Sequence, residues 1–320
     1  MALLKPFQFF FQLFLVLFFY KFEKTLIMMK DAELMKKLSI DKKTLDMFKK
    51  VRDEAIKEAK KLSEKKGKIK VLGISSSARD ERDMAQESSN SEQLLKKCLY
   101  HCKKLGAETE LIALRKYDIK YCKACYSTTN TQCHYPCSCY PNDDMTKILY
   151  QKLIDADAII FATPVNNFNI STLMKTFIDR CISMDGSLSP ANPKTPKDAE
   201  LNKKHMKFIE LTADSEILGS GMLRRFQGKI AGIIVTGHEE GASMAISNLF
   251  MTLNHFGMLF PPYSNMYAMS SISVSTYEDK KTVLGDVYLK ETELLAKNVI
   301  AATENERKNK SKWVYDNREN

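Results

Sequence analysis

From Lys68 onward the apolar positions fall into short blocks separated by longer amphipathic stretches. KIKVLGIS (68–75) is a β-branched apolar run, the pattern of a strand buried on both faces, and TELIAL (109–114), DAIIFATP (157–164) and GKIAGIIVTG (228–237) read as the strands that follow it. Between them, SEQLLKKCLYHCKKLG (91–106), DDMTKILYQKLIDA (143–156), STLMKTFIDRCISM (171–184) and ASMAISNLFMTLNHFG (242–257) repeat apolar residues at helical spacing. Gly106 and Gly257 end two of these helices, Ser171 caps a third, and Asp143 and Asp144 place acid where a helix N-terminus favours it. A short strand near 258–269 and a helix over roughly 286–305 complete the set. Alternating strands and helices predict an α/β chain, a parallel sheet with helices on both faces and right-handed crossovers. Such sheets bind ligands beyond the carboxyl ends of their strands.

Ahead of this body, residues 31–66 lack Pro and Gly, and Leu34, Leu38, Leu45, Phe48, Val51, Ala55 and Leu62 recur at helical spacing. This predicts a helical arm, with Ser39 or Asp41 capping a second helix within it. Further upstream, FQFFFQLFLVLFFY (7–20) is shorter than the about 20 apolar residues that span a bilayer. It reads as a signal segment, as a membrane-surface anchor, or as sequence ahead of a true start at Met28 or Met29. The chain thus divides into an apolar leader (1–29), a basic helical extension (30–67), the α/β domain (68–305) and a polar basic tail (306–320). Residues 185–204, with three prolines, predict a surface insertion.

Composition narrows the function. Of 320 residues, 44% are hydrophobic and 28% charged, which excludes disordered and fibrous chains. The net charge of +10 arises largely in the flanks, where 30–68 holds 14 Lys/Arg against 8 Asp/Glu. Runs of this kind are solvated helix faces, so no nucleic-acid partner is expected. Five of the eight cysteines fall within 122–139, unlike the spread of a secreted disulfide scaffold. That clustering predicts a reducing, cytoplasmic setting and a metal or redox loop. Cys98 and Cys102, one helical turn apart, read as packing.

Three loops at the predicted carboxyl edge carry candidate chemistry. After the first strand, SSSARDERDMAQESSNSE (75–92) brings hydroxyls and free backbone N–H groups to a helix start, a site suited to a monophosphate. Neither a Walker loop nor a GxGxxG fingerprint is present. After the third strand come Pro164 and Val165, then the amides of Asn166 and Asn167 and the apolar face of Phe168, on which a planar ring can rest. After the fourth, Gly237 and Gly241 allow close backbone approach around His238 and Glu239. Between the second strand and its following helix stands Cys122-x2-Cys125-x7-Cys133-x3-Cys137-x-Cys139. Thiolates at this density hold a [4Fe–4S] cluster or zinc, or line a loop without metal. His134 reads as a surface residue beside Pro136.

Taken together, KVLGISSSAR (70–79) with SNSEQLL (89–95), YCKACYST (121–128), DDM (143–145), ADAIIFATPV (156–165), STLMKTFIDR (171–180) and GKIAGIIVTG (228–237) resemble the NADPH-dependent FMN reductase and iron–sulfur flavoprotein family. The resemblance implies a flavodoxin-like, doubly wound five-stranded sheet of order 2-1-3-4-5. It implies that Ser75, Ser77, Arg79, Ser89, Asn90 and Ser91 hold an FMN phosphate. Pro164, Val165, Asn166, Asn167 and Phe168 would line the flavin ring, and the Gly237–Gly241 turn with His238 and Glu239 would close the other side. The implied activity is hydride transfer from NAD(P)H to FMN, then electron transfer to a small acceptor. The alternative is a flavodoxin-type or iron–sulfur electron carrier. A homodimer or higher homo-oligomer is implied as well, with membrane contact through 7–20 if that segment is an anchor. Four features depart from the family: Ser76 replaces Gly, Ala78 replaces Pro, the loop from Arg79 to Asn90 is longer, and Asn166 stands where Tyr is common. In the cysteine loop Cys122 and Cys125 match the iron–sulfur motif, and Thr128 stands at its third position.

Overall fold

The computed structural model describes residues 29–80, 89–128, 132–214, 217–237, 241–270 and 276–310. The leader up to residue 28, His238, Glu239 and the last ten residues of the tail lie outside this set. The sheet is built from β1 (Lys70–Ser75), β2 (Glu108–Ala113), β3 (Ala158–Asn166), β5 (Ile230–Gly237) and β6 (Asn265–Met269), parallel throughout and ordered β2-β1-β3-β5-β6. The two-residue β4 (Asn169–Ile170) folds back antiparallel on β3. The five parallel strands follow the expected flavodoxin-like order, and β4 is an addition the sequence did not reveal.

Strand alternation sorts the side chains into two cores. Leu72, Ile74, Ile159, Phe161, Ile233 and Val235 face one side, and Val71, Ala158, Ile160, Ala162 and Ile234 the other. Both faces are apolar because both are covered. The helices run in chain order as α1 (Asp31–Leu38), α2 (Lys42–Ser63), α3 (Asn90–Lys104), the single turn α4 (Cys125–Thr128), α5 (Tyr150–Asp155), α6 (Thr172–Cys181), α7 (Ala199–Thr212), α8 (Ala242–His255), α9 (Thr276–Val283) and α10 (Asp286–Asn309). Residues of α5, α6 and α8 join the first core, and those of α3 and α10 the second. Helix α5 is entered through a π-helical turn, Met145–Leu149, whose first free N–H groups are met by the Asp143 carboxylate through Thr146 N at 3.0 Å. Helix α10 runs past residue 305, and its Arg307 pairs with the buried Asp157 at the head of β3.

The helical arm forms as expected, with Asp41 capping α2 by accepting a hydrogen bond from Thr44 N at 2.8 Å. Its apolar stripe, Leu34, Leu38, Leu45, Phe48, Val51 and Ala55, makes a third core with Leu188, Ala191, Phe208 and Ile209. The segment 185–204 is therefore not a plain surface insertion. Leu188 and Ala191 are buried, and from residue 199 the chain becomes α7, the floor on which the arm rests. Arg225 clamps the arm further, donating to both carboxylate oxygens of Glu58 at 2.8 Å each. Among the described residues no helix is long and apolar enough to cross a membrane.

Candidate functional site

The loops after β1, β3 and β5 meet at the carboxyl edge of the sheet. Ser75, Ser76 and Ser77 are all buried there. Ser76 holds the loop to the sheet, its N–H donating to Ala162 O at 3.0 Å. The Ser171 hydroxyl, which caps α6, donates to Ser76 O at 3.0 Å and sits 2.8 Å from Ser76 Oγ. The Ser75 hydroxyl turns the other way and donates to Glu92 Oε2 at 3.1 Å. Glu92 lies in the first turn of α3, is almost fully buried, and forms an ion pair with Arg115. Burial alone would push its carboxyl up, but Arg115 and Lys96 outweigh that and hold it below its ordinary value. Ser75 thus braces the loop from behind, and its side chain is already committed.

The remaining polar groups converge on the start of α3. Ser89 is its N-cap, accepting from Glu92 N at 3.3 Å and lying 3.1 Å from Ser91 Oγ. Arg79 N donates to Ser77 Oγ at 3.2 Å, which leaves the Ser77 hydroxyl hydrogen free to donate outward. Two buried polar atoms here have no partner, Asn90 Oδ1 and Arg79 Nε. Unsatisfied buried groups are costly and mark a place where a polar ligand completes the bonding. Ser77 and Arg79 form one hydrogen-bonded group and Ser89 and Ser91, beside Asn90, a second at the start of α3, while the Ser75 hydroxyl turns to Glu92.

Across the edge, β3 continues through Pro164 and Val165 into a tight hairpin with β4. Val165 pairs with Ile170 and Asn166 with Asn169, leaving Asn167 and Phe168 as the two turn residues. Both have positive φ, +49° and +63°, the left-handed pair that a right-twisted two-residue hairpin requires. Asn tolerates this conformation, whereas Phe is strained by it. The Phe168 ring is exposed at the hairpin tip. Gly241 and Gly237 fit the hairpin from the β5 side. A Cβ on Gly241 would lie 2.3 Å from the Phe168 backbone, and one on Gly237 2.9 Å from Val165 Cβ. Close approach at these two glycines was legible in the sequence, but not that the β3–β4 hairpin is what approaches.

The five clustered cysteines line a second, shallow pocket, partly open to solvent, with His134, Tyr140, Arg180 and Lys197. The buried Arg180–Asp143 ion pair holds this segment, because Arg180 donates to Lys120 O at 3.0 Å and Asp143 accepts from Lys120 N at 3.2 Å. His134 is not a surface residue. It is buried, 2.9 Å from Ser138 Oγ, and burial, with Lys197 nearby, pushes it down to about 4. Burial also pushes the Cys133 thiol up to about 11. Cys125 Sγ and Cys139 Sγ lie 3.1 Å apart.

Residues 69–270 match the family described as NADPH-dependent FMN reductase. The chain belongs to this family. Among curated relatives, an iron–sulfur flavoprotein of Archaeoglobus fulgidus is 40% identical over 78 residues, covering 24% of this chain and 35% of that protein. An iron–sulfur flavoprotein of Methanosarcina thermophila is 32% identical over 114 residues, covering 36% of this chain and 53% of that one. The matched stretches thus span between a third and about half of these relatives. Among solved structures, RosB with a bound formylriboflavin phosphate intermediate superposes with a TM-score of 0.55 at 17% identity, over 76% of this chain and 82% of that one. This likeness shows a shared fold.

The phosphate cradle fits the FMN expected of an FMN reductase family member. Its donors are hydroxyls, the N–H groups at the N-terminus of a 15-residue helix, and a guanidinium whose Nε has no partner. The cysteine pocket does not fit a metal in the same way. Among the described residues no three His, Cys, Asp or Glu side chains are placed to hold one ion. Two thiolates on a tetrahedral zinc stand about 3.8 Å apart, given a Zn–S bond of about 2.3 Å. Ligands to different irons of a cluster stand farther apart still, so ligation by both would require Cys125 and Cys139 to turn away from their 3.1 Å approach.

Proposed function

We propose that this protein is an FMN-dependent NAD(P)H oxidoreductase, taking hydride from a nicotinamide onto FMN and passing electrons to a second small acceptor such as a flavin or quinone. The observation that carries the reading is the buried hydroxyl loop after β1, with the Arg79 Nε donor unpartnered and the N-terminus of α3 following in the same loop, inside the segment that matches the family. When bound, FMN supplies the hydride chemistry, and the protein supplies binding, orientation and exclusion of water. Ser77, one hydroxyl of the Ser89–Ser91 pair and the free N–H groups of the first turn of α3 donate to the phosphate, and the Arg79 guanidinium neutralises it. Pro164 to Phe168 form the wall for the ring, and Gly241 lets that wall stand close to the β5 loop. The free cysteines accord with a cytoplasmic, reducing setting.

The test is an anaerobic absorption spectrum of the full chain, with FMN added, followed by titration with NADPH and NADH. The reading expects flavin bands that bleach at turnover rates with a nicotinamide. A folded protein that stays colourless and takes up no FMN would remove the proposal. Flavin bands that respond to dithionite but to neither nicotinamide would instead favour the electron carrier.

A further inference from the structure

We propose that Cys125 and Cys139 form a thiol–disulfide site, a dithiol that exchanges with small anionic disulfides such as oxidised glutathione. The two sulfurs lie 3.1 Å apart as free thiols, and closing them to a bond of about 2.05 Å needs a shift of about 1 Å. Both residues are half-buried at the rim of the same shallow, partly open pocket, which leaves their sulfurs accessible from solvent.

The pair is held on both sides. Cys125 opens α4 close behind Lys120, whose carbonyl and N–H are fixed by Arg180 and Asp143. Cys139 follows Tyr135, whose N–H donates to Leu188 O at 3.1 Å and whose ring is stacked under the Arg225 guanidinium at 3.6 Å. Next to Cys139, the Tyr140 ring lies under Arg180 at 5.1 Å. Segments pinned to one frame keep the two sulfurs facing each other.

Charge selects the partner. Asp143 neutralises Arg180, which leaves the Lys123 and Lys197 ammonium groups as the net charge lining the pocket. Two cations favour a disulfide bearing carboxylates.

The exchange balances without a further oxidant. One protein thiolate attacks a sulfur of oxidised glutathione, breaking the S–S bond, releasing one glutathione and leaving a mixed disulfide. The second protein thiolate attacks the protein-side sulfur, forms the Cys125–Cys139 bond and releases the second glutathione. Two electrons pass from the protein to glutathione, and the two thiol protons end on the two released thiols.

The experiment incubates the full chain, with and without FMN, in glutathione buffers from reducing to oxidising. It is then quenched with an alkylating agent and mapped by mass spectrometry. Cys125→Ser, Cys139→Ser and Cys133→Ser are run in parallel, each with a circular dichroism spectrum as the check on folding. The expected result is loss of two of the eight thiols, mapped to a Cys125–Cys139 peptide. That loss is retained in C133S and absent in C125S and C139S. Three results would each overturn the proposal: no oxidation across the buffers, a bond mapped to other cysteines, or anaerobically purified protein that holds iron and sulfide with Cys125 shielded from alkylation. None of these depends on whether FMN binds, so the flavin reading is tested separately.

Discussion

Gly241→Ala isolates the contact that shapes the ring wall. Gly241 has φ −78° and ψ 2°, a conformation open to any L-residue, so backbone freedom is not why glycine stands there. Judged by conformation alone, alanine would stabilise the protein by about 0.4–1 kcal/mol, because it restricts the unfolded chain. The contact predicts the opposite sign. The new Cβ would lie 2.3 Å from Phe168 Cα, C and O, against an ordinary contact of 3.4 Å or more. The hairpin must then retreat by about 1 Å, and since the obstacle is backbone, no rotamer change relieves it. Overpacking of this kind costs about 1–3 kcal/mol, which exceeds the conformational gain. We expect G241A to melt a few degrees lower, at about 2–4 °C per kcal/mol for a domain of this size. We also expect FMN to bind about 10–100-fold more weakly, since a wall displaced by about 1 Å no longer meets the ring. Calorimetry and quenching of flavin fluorescence measure the two effects. A variant that melts as high as the parent and binds FMN equally well would show that the hairpin does not form the wall.

Other positions give independent outcomes. Arg79→Ala should weaken FMN about 10–100-fold, the worth of a hydrogen bond to a charged group, and leave riboflavin affinity unchanged; parallel titrations with the two flavins check this. Asp143→Ala leaves the buried Arg180 guanidinium without its carboxylate and should cost about 3–5 kcal/mol in urea unfolding, much of it recovered when Arg180→Met is added. His205 is stacked on Phe48 at 4.7 Å, and burial pushes it down to about 4, as it does His134. Between about pH 6.5 and pH 4 the unfolded chain binds protons that the folded chain refuses, so stability should fall as pH falls, by up to about 3 kcal/mol per histidine. His205→Phe keeps the stack and should remove its share of that slope, which urea midpoints across the pH range would reveal.

The sequence by itself determined the strands, most helices and the place of the site. The central strands β1, β3 and β5 are apolar runs, the edge strands β2 and β6 alternate, and each main helix shows a 3.6-residue pattern, signals set by neighbours along the chain. The hydroxyl loop was legible for the same reason, because three serines directly after a strand have nowhere to lie but the sheet edge. Tertiary structure decided the direction of each side chain and the pairing of distant ones. Three consecutive serines look alike in sequence, yet Ser75 turns to Glu92 and Ser76 to Ala162, while Ser77 stays open. Helix α7 was hidden behind Pro190, Pro193 and Pro196, and its apolar face has a purpose only against an arm more than 130 residues away. His134 beside a proline reads as surface until that same packing buries it. The cysteine spacing announced a loop dense in thiols, but a spacing of 14 residues says nothing of a 3.1 Å approach between Cys125 and Cys139. Local periodicity is written into the chain, whereas contacts across it exist only once the cores have closed and fixed where each loop points.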